Sequence, residues 1–337
     1  METRRFSAAT RLIAGIGIAG VELGAFLANS LGYDRTMALG NAAGDLLYGL
    51  LARPRRRIHH NLTLAFAGSM PEAQRNSLAR QVLRFFAKNW LELFFYGGGN
   101  KAELRKRISI QGIEHLEQAL AKGKGVIAIS GHIGNYPLLG TQFTERGYDF
   151  TVVIRDPKSP VTSRIYEHAR AMIGLQTLYT TPERRFFKNA LNTLGRNGIL
   201  CLISDENKRR GGVFVDFFGR TASTPPGPAA LALRTGAAIV PVFITRNPDN
   251  SQRIHIQEEI PYEKTGAAEA DVAAITARYT VAIEQRIRAD LAQWMWTNFR
   301  WRTQPYGPSD AAKLKKLRPV KLLQKKLRAP LGRIIHE

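Results

Sequence analysis

A single histidine stands where a buried strand of this 337-residue chain should end. Residues 125–130 read GVIAIS, and a short apolar run of this kind is typical of a strand buried on both faces of a parallel sheet. His132 follows almost at once, and Asn135 then stands where a helix could begin. Because a neutral imidazole accepts a proton near pH 7, His132 is a candidate general base. The simpler alternative is a hydrogen-bonded structural histidine.

Two carboxylates follow another predicted strand. Asp205 and Glu206 come directly after residues 198–204, which read GILCLIS. In open α/β sheets, the residues at the carboxyl ends of parallel strands meet at one rim, where ligands bind. We therefore expect Asp205 or Glu206 to face the same rim as His132.

The order of elements predicts an α/β fold with a largely parallel sheet covered by helices on both faces. An N-terminal helical, membrane-associated region is predicted to precede it. The predicted strands cover residues 107–113, 125–130, 149–155, 198–204 and 239–246, with residues 253–260 expected at a sheet edge. The predicted helices cover residues 71–96, 112–123, 136–146, 160–174, 182–196, 227–235 and 269–292.

The N-terminal segment, residues 1–34, is predicted to be a membrane anchor or an interfacial helix. Its first eleven residues carry three arginines, and a long apolar stretch follows. Glu22 interrupts that stretch, and an acid at the bilayer centre costs about 2.5–3.5 kcal/mol on insertion scales. The segment could span the membrane or lie in its interface, and a buried glycine-rich core helix is the alternative.

The chain carries a formal net charge of +22, which attracts polyanions such as anionic membranes, acidic proteins or nucleic acid. Residues 306–337 form a basic C-terminal tail. Cys201 is the sole cysteine, so an internal disulfide and a cysteine metal cluster are excluded. No P-loop, dinucleotide fingerprint, nucleophile elbow or H-E-x-x-H motif is present in the sequence.

Two sequence blocks resemble a known family. The runs SGHIGNYPLLG and ISDENKRRGGVFVDFFGRTASTPPGPAALALRTGAAIVPVF are similar to the late acyltransferases of lipid A biosynthesis and their bacterial glycolipid-acylating relatives, over residues 35–305. The resemblance implies an O-acyltransferase at the cytoplasmic face of a bacterial inner membrane. It would move a fatty acyl chain from an acyl carrier protein or coenzyme A to a hydroxyl of a glycolipid such as a lipid A precursor. These thioesters are co-substrates, and the resemblance implies no cofactor and no metal.

The sequence departs from this family at its His-x4-Asp/Glu motif. Pro137 stands five residues after His132, where the family has an acid. Three explanations are open: Asp205 or Glu206 replaces the motif acid, a backbone carbonyl orients the ring, or catalysis has been lost. The third would leave a non-catalytic, lipid-binding relative.

The resemblance also suggests substrate-binding residues. Arg155 occupies the place of a basic residue for an anionic donor or acceptor, and its planar fork suits phosphate. Asn135 is a supporting candidate, and Phe217 and Phe218 could line an acyl pocket or simply pack in the core. The acceptor could also be a lysophospholipid or another membrane lipid, whereas nucleic-acid binding is supported by charge alone.

Overall fold

The computed structural model of the chain describes residues 8–155, 157 and 159–305. The predicted tail at 306–337 lies outside these residues. The helices are α1 (Ala8–Leu31), α2 (Tyr33–Leu50), α3 (Ala52–Ala65), α4 (Glu72–Gly97), α5 (Lys101–Lys106), α6 (Ile113–Leu120), α7 (Tyr136–Glu145), α8 (Pro160–Met172), α9 (Glu183–Gly195), α10 (Gly227–Thr235) and α11 (Ala268–Ala289). The strands are β1 (Ile108–Gln111), β2 (Val126–Ser130), β3 (Phe150–Ile154), β4 (Thr177–Tyr179), β5 (Ile199–Ile203), β6 (Val213–Phe217), β7 (Arg220–Thr224), β8 (Ala238–Arg246) and β9 (Gln252–Ile256).

Seven strands form one mostly parallel sheet in the order β1-β9-β8-β2-β5-β3-β4. Only the β8–β9 pair within this sheet is antiparallel. Apolar side chains fill a core on each side of the sheet, between the strands and the covering helices. The structure thus confirms the predicted α/β class and a helical N-terminal region.

Strand β2 lies in the middle of the sheet, and all five of its residues are buried. It pairs in parallel with β5, and the register places Ser130 opposite Ile203. The two strands therefore end at the same level, and the residues that follow them meet at one rim.

Strand β9 differs from its prediction. It was expected at a sheet edge over 253–260, but it covers Gln252–Ile256 and pairs with β1 on its outer side. The edge assignment is wrong because β1, far away in sequence, supplies the missing neighbour. The short strand β4 and the β6–β7 hairpin were also not predicted.

The first two helices pack against the rest of the chain. Helix α2 lies against α4, where Gly40 and Gly44 allow the backbones to approach closely. Helix α1 lies against both α4 and α8. By length and composition, residues Thr10–Leu31 of α1 could cross a membrane.

A buried ion pair joins α4 to β8. Glu92 is fully buried, and its Oε2 atom accepts a hydrogen bond from Arg246 Nη2 at 2.6 Å. The same carboxylate also accepts hydrogen bonds from Tyr33, Asn135 and Gln252. The pair and its buried partners therefore connect α2, α4, β8, β9 and the start of α7 through direct hydrogen bonds.

We predict that Glu92→Ala lowers the free energy of unfolding by about 3–5 kcal/mol, because it leaves the Arg246 guanidinium buried without its counter-charge. Chemical denaturation of the detergent-solubilised protein measures this loss. Glu259→Ala is the matched control, since its pair with Lys122 is solvent-exposed and contributes about 0–1 kcal/mol. Equal losses in the two variants would contradict the assignment.

Candidate active site

His132 and Asp205 meet at the rim formed by β2 and β5. The Nδ1 atom of His132 lies 2.8 Å from Asp205 Oδ1. The Asp205 side chain is fully buried, while the imidazole is 15% exposed. A carboxylate accepts at Nδ1, so this nitrogen carries the proton and Nε2 is left with a free lone pair.

Asp205 accepts two further hydrogen bonds through Oδ2. The backbone N–H of His132 donates at 2.9 Å, and the indole Nε1–H of Trp294 donates at 2.7 Å. Burial alone raises the pKa of Asp205, but the charge and hydrogen bonds of His132, with the Trp294 bond, outweigh it and lower that pKa. Asp205 is therefore a carboxylate near neutral pH.

The same pair acts on the imidazole in the opposite direction. Burial alone lowers the pKa of His132, but the Asp205 charge and hydrogen bond outweigh it, and Glu206 adds to them, so the pKa is raised. A raised pKa makes the neutral ring a stronger base. It also means that the ring becomes neutral at a higher pH than an isolated histidine does.

Glu206 lies on the other side of the ring. Its Oε1 atom is 3.8 Å from His132 Nε2, which is too long for a hydrogen bond, and its Oε2 atom is 3.1 Å from Arg155 Nη2. Tyr136 contacts the ring edge-on, with centroids 4.9 Å apart, and burial raises its phenol pKa so that the hydroxyl stays protonated. The imidazole thus has a second carboxylate near Nε2 and a neutral phenol ring against it.

The loop that carries His132 is held by several backbone hydrogen bonds. The carbonyl of His132 accepts from the N–H of Met295, and the N–H of Gly134 donates to the carbonyl of Gln293. Asn89 donates to the carbonyl of Gly134 at 2.8 Å. Gly134 has φ +56°, and a Cβ there would overlap the Ile244 carbonyl oxygen, so the turn requires glycine.

A cavity of about 1560 Å³ opens beside His132. One part of its wall is apolar and comes from α1, α4 and α8, including Val21, Trp90, Leu93, Phe94, Met172 and Ile173. Another part is basic and includes Arg155, Arg170, Lys208, Arg209 and Arg210. A cavity of this size exceeds the usual small-molecule site and suits a ligand with a long apolar chain and an anionic group.

The structure brings four of the seven predicted site residues together, namely His132, Arg155, Asp205 and Glu206. Asn135 is fully buried behind them and donates to Glu92 at 2.7 Å, so it supports the loop. It stands at the N-cap position of α7 without a side-chain capping bond. Phe217 and Phe218 are not among the described residues that line the cavity. Both rings are buried against the tryptophans of the C-terminal segment; Phe217 ends β6, and Phe218 follows in the hairpin turn with φ +58°.

Sequence reasoning missed Trp294. Trp294 stands in the tryptophan-rich segment QWMWTNFRWR at residues 293–302, and the structure shows that this segment closes the domain. Trp294, Trp296 and Trp301 are all buried. The only available signal was the high density of tryptophan, which does not identify Asp205 as a partner 89 residues away.

Comparison with known protein families identifies this α/β chain as an acyltransferase. Residues 3–303 match the family described as bacterial lipid A biosynthesis acyltransferase, and the chain belongs to this family. The match covers the strand rim, the cavity and the tryptophan segment.

Several characterised proteins are similar to this chain. The phosphatidylinositol mannoside acyltransferase of Mycolicibacterium smegmatis is 28% identical, over 82% of this chain and 90% of the relative. The phosphatidylinositol mannoside acyltransferase of Mycobacterium tuberculosis (strain CDC 1551 / Oshkosh) is 30% identical, over 69% of this chain and 73% of the relative. The lipid A biosynthesis lauroyltransferase of Escherichia coli K12 is 25% identical, over 84% and 90%.

We predict that Asp205→Asn lowers the pKa of His132, because the substitution removes the negative charge that stabilises the imidazolium. NMR titration of 13C-labelled histidine measures this shift. Glu206→Gln should lower the same pKa less, since Glu206 contributes less than Asp205. His255, which burial holds near a pKa of about 4, provides an internal reference that should not move. An unchanged His132 titration in Asp205→Asn would contradict the assigned pair.

Proposed function

We propose that the protein transfers a fatty acyl chain from a thioester to a hydroxyl of a glycolipid, with His132 as general base. The observation that carries the proposal is the His132–Asp205 hydrogen bond at the mouth of a cavity with an apolar wall and a basic rim. The relatives that act on phosphatidylinositol mannoside and lipid A support a glycolipid acceptor.

In the proposed reaction, Nε2 of His132 removes the proton of the acceptor hydroxyl while its oxygen attacks the thioester carbonyl carbon. The tetrahedral intermediate then collapses, the C–S bond breaks, and the imidazolium returns the proton to the departing thiolate. The products are an ester and a free thiol. This cycle leaves His132 neutral, as it began.

Asp205 is proposed to do what the family's motif acid does. Its bond to Nδ1 directs the lone pair of Nε2 towards the cavity, and its charge stabilises the imidazolium that forms during attack. Pro137 lines the cavity at the position where the acid is missing. Of the three explanations left open by the sequence, this geometry supports a replacement carboxylate, and it favours Asp205 over Glu206 for the orienting role.

The two parts of the cavity suit the two parts of the substrates. The wall between α1, α4 and α8 provides dry surface for an acyl chain. Arg155 and the exposed cations at 208–210 can bind a phosphate, which both an acyl carrier protein and coenzyme A present on their pantetheine arm. Phosphate also occurs in the acceptor classes of the relatives' names. Glu206, beside Nε2, is placed to accept a hydrogen bond from a second hydroxyl of a sugar.

We further propose that the enzyme works at the cytoplasmic face of a bacterial inner membrane, where acyl carrier protein and coenzyme A thioesters are available. The apolar α1 and the membrane-lipid substrates of the relatives support this location. A lysophospholipid is the competing class of acceptor. Transfer assays with a panel of glycolipids and lysophospholipids distinguish the two classes.

The base assignment predicts a graded loss of transfer activity. His132→Ala should lower kcat/KM by about 10²–10⁴, the usual contribution of a general base. Asp205→Asn should lower it by a similar factor and shift the acid limb of the pH profile to lower pH, because the imidazole pKa falls. Transfer from carrier-protein and coenzyme A thioesters to glycolipid and lysophospholipid acceptors is the measurement.

Glu206→Gln is the matched control for that series, because it removes a neighbouring carboxylate that is not bonded to Nδ1. We expect it to change kcat by less than about tenfold, within the range of a single hydrogen bond. An unchanged kcat/KM in His132→Ala would exclude the proposed base. If Glu206→Gln caused the large loss and Asp205→Asn did not, the orienting role would have to be assigned to Glu206 instead of Asp205.

A second prediction tests the apolar wall. Val21→Trp fills part of the cavity from α1 and should impair transfer of a palmitoyl group while leaving an octanoyl group nearly unaffected. Leu12→Trp is the matched control on the same helix, since Leu12 is exposed and does not line the cavity. Competition between palmitoyl and octanoyl donors measures the ratio of the two transfer rates in each variant. Equal effects on both chain lengths would place the acyl chain elsewhere.

A further inference from the structure

Helix α1 exposes one continuous apolar face. Six large apolar side chains on it are 50–68% exposed: Leu12, Ile13, Ile16, Leu23, Phe26 and Leu27. Their spacing places them on one side of the helix. In the described part of the chain, 11 of the 17 exposed large hydrophobic residues lie between residues 12 and 51. Exposure of so many apolar side chains in one region is unfavourable in water and is typical of an interaction surface.

The opposite face of α1 is packed along much of its length. Gly17 lies against Ile165 of α8, Gly24 lies against the ring of Phe94 in α4, and Asn29 is hydrogen-bonded to the carbonyl of Gly98. Residues 17 and 29 are about 18 Å apart along a helix axis. If α1 crossed a bilayer, it would either leave this packing or take α4 and α8 with it.

The partners of α1 are unsuited to the bilayer core. Within two turns of their contacts with α1, α8 carries Arg164 and Arg170 and α4 carries Lys88. Moving such charges into hydrocarbon costs several kcal/mol each on any scale. The packing of α1 therefore opposes a spanning arrangement.

A polar flank also runs along α1. Arg11, Glu22 and Asn29 are eleven and seven residues apart, which is close to three turns and two turns. Glu22 is the acid that interrupts the apolar stretch and would be costly at the centre of a bilayer. Its carboxylate lies 3.2 Å from Nε2 of His168 in α8. A helix with one apolar face and a polar flank matches the interfacial class.

Further exposed apolar and basic residues lie beside the cavity and on α2 and α3. Trp90 and Tyr166 are both exposed, pack against each other and line the cavity mouth between α4 and α8. On α2, the exposed leucines at 39, 46 and 50 form a second stripe, and the exposed Arg53 and Arg56 follow it. Aromatic rings and arginines in these positions suit the headgroup level of an anionic membrane.

We propose that α1 lies in the plane of a membrane, with its apolar face in the acyl-chain region of one anionic leaflet, and that it does not cross the bilayer. Helix α2 and the aromatic cavity mouth contact the same leaflet. The proposal does not depend on the acyl-transfer chemistry, because binding and sidedness are measured without turnover.

The single native cysteine makes the sidedness directly measurable. Cys201 is buried, and burial raises the pKa of its thiol to about 12, so it stays unreactive towards maleimide. Cysteine is introduced as Arg11→Cys at the start of α1 and, in a separate variant, as Arg253→Cys in β9. Both are labelled with a membrane-impermeant maleimide in sealed, inverted inner-membrane vesicles.

An in-plane helix places both cysteines outside these vesicles, so both react before detergent is added. A spanning helix places Arg11→Cys in the lumen, where it reacts only after detergent is added. Protection of Arg11→Cys alone would overturn the proposal, and full labelling in detergent shows that the site is chemically reactive.

Flotation with vesicles of phosphatidylcholine and phosphatidylglycerol tests the face itself. The double variant Leu23→Glu/Leu27→Glu should weaken vesicle binding at least about tenfold, because two leucines no longer enter the hydrocarbon. Val281→Glu, at a similarly exposed position on α11, should bind as the native chain does. Circular dichroism checks that each variant is folded.

Two results would contradict the membrane face. The double variant could bind vesicles as well as the native protein does. Alternatively, the native chain could fail to bind vesicles and form a dimer in solution that Leu23→Glu/Leu27→Glu dissociates, which would assign the face to a second copy of the chain. In either case the transfer assays above would still report on the proposed chemistry.

Discussion

The buried charge of Asp205 constrains the whole site. A carboxylate removed from water must be paired with donors, and here three donors come from two distant parts of the chain: the ring and backbone N–H groups of His132, and the Trp294 indole. His132 follows β2, Trp294 lies in the C-terminal segment of the domain, and Asp205 itself follows β5. The sheet register, the loop at 131–134 and the segment at 290–303 must therefore all be in place together.

The ion pair of Glu92 and Arg246 supports the same loop from behind. Glu92 receives the side chain of Asn135, and Arg246 is bonded through its backbone to Gln293, which in turn holds Gly134. Buried polar networks of this kind favour one arrangement because each member left unpaired is costly. The imidazole is thus positioned by two separate sets of buried hydrogen bonds, one on each side of its loop.

The sequence was informative wherever local pattern decides the structure. Strands β2 and β5 were recognisable as short apolar runs, and their shared direction correctly placed His132 and Asp205 at one rim. The edge position of β9 was misjudged because it depends on a partner strand more than 140 residues away. Phe217 and Phe218 could not be assigned from the sequence, because an acyl-chain pocket and a protein core are both lined by large apolar side chains. Trp294 lies in an irregular segment that has no period to analyse.

The order in which the ribosome synthesises these elements gives the tryptophan segment another consequence. The ribosome delivers β2 and β5 well before residue 294, so a nascent chain holds the histidine and the aspartate while the indole donor is still absent. Until residue 294 is made, Oδ2 of the buried acid has one hydrogen-bond donor, the His132 backbone N–H, instead of two. The hydrogen bonds of Asp205 are therefore complete only after residue 294 has been synthesised, and a fragment that stops short of that residue lacks one of them.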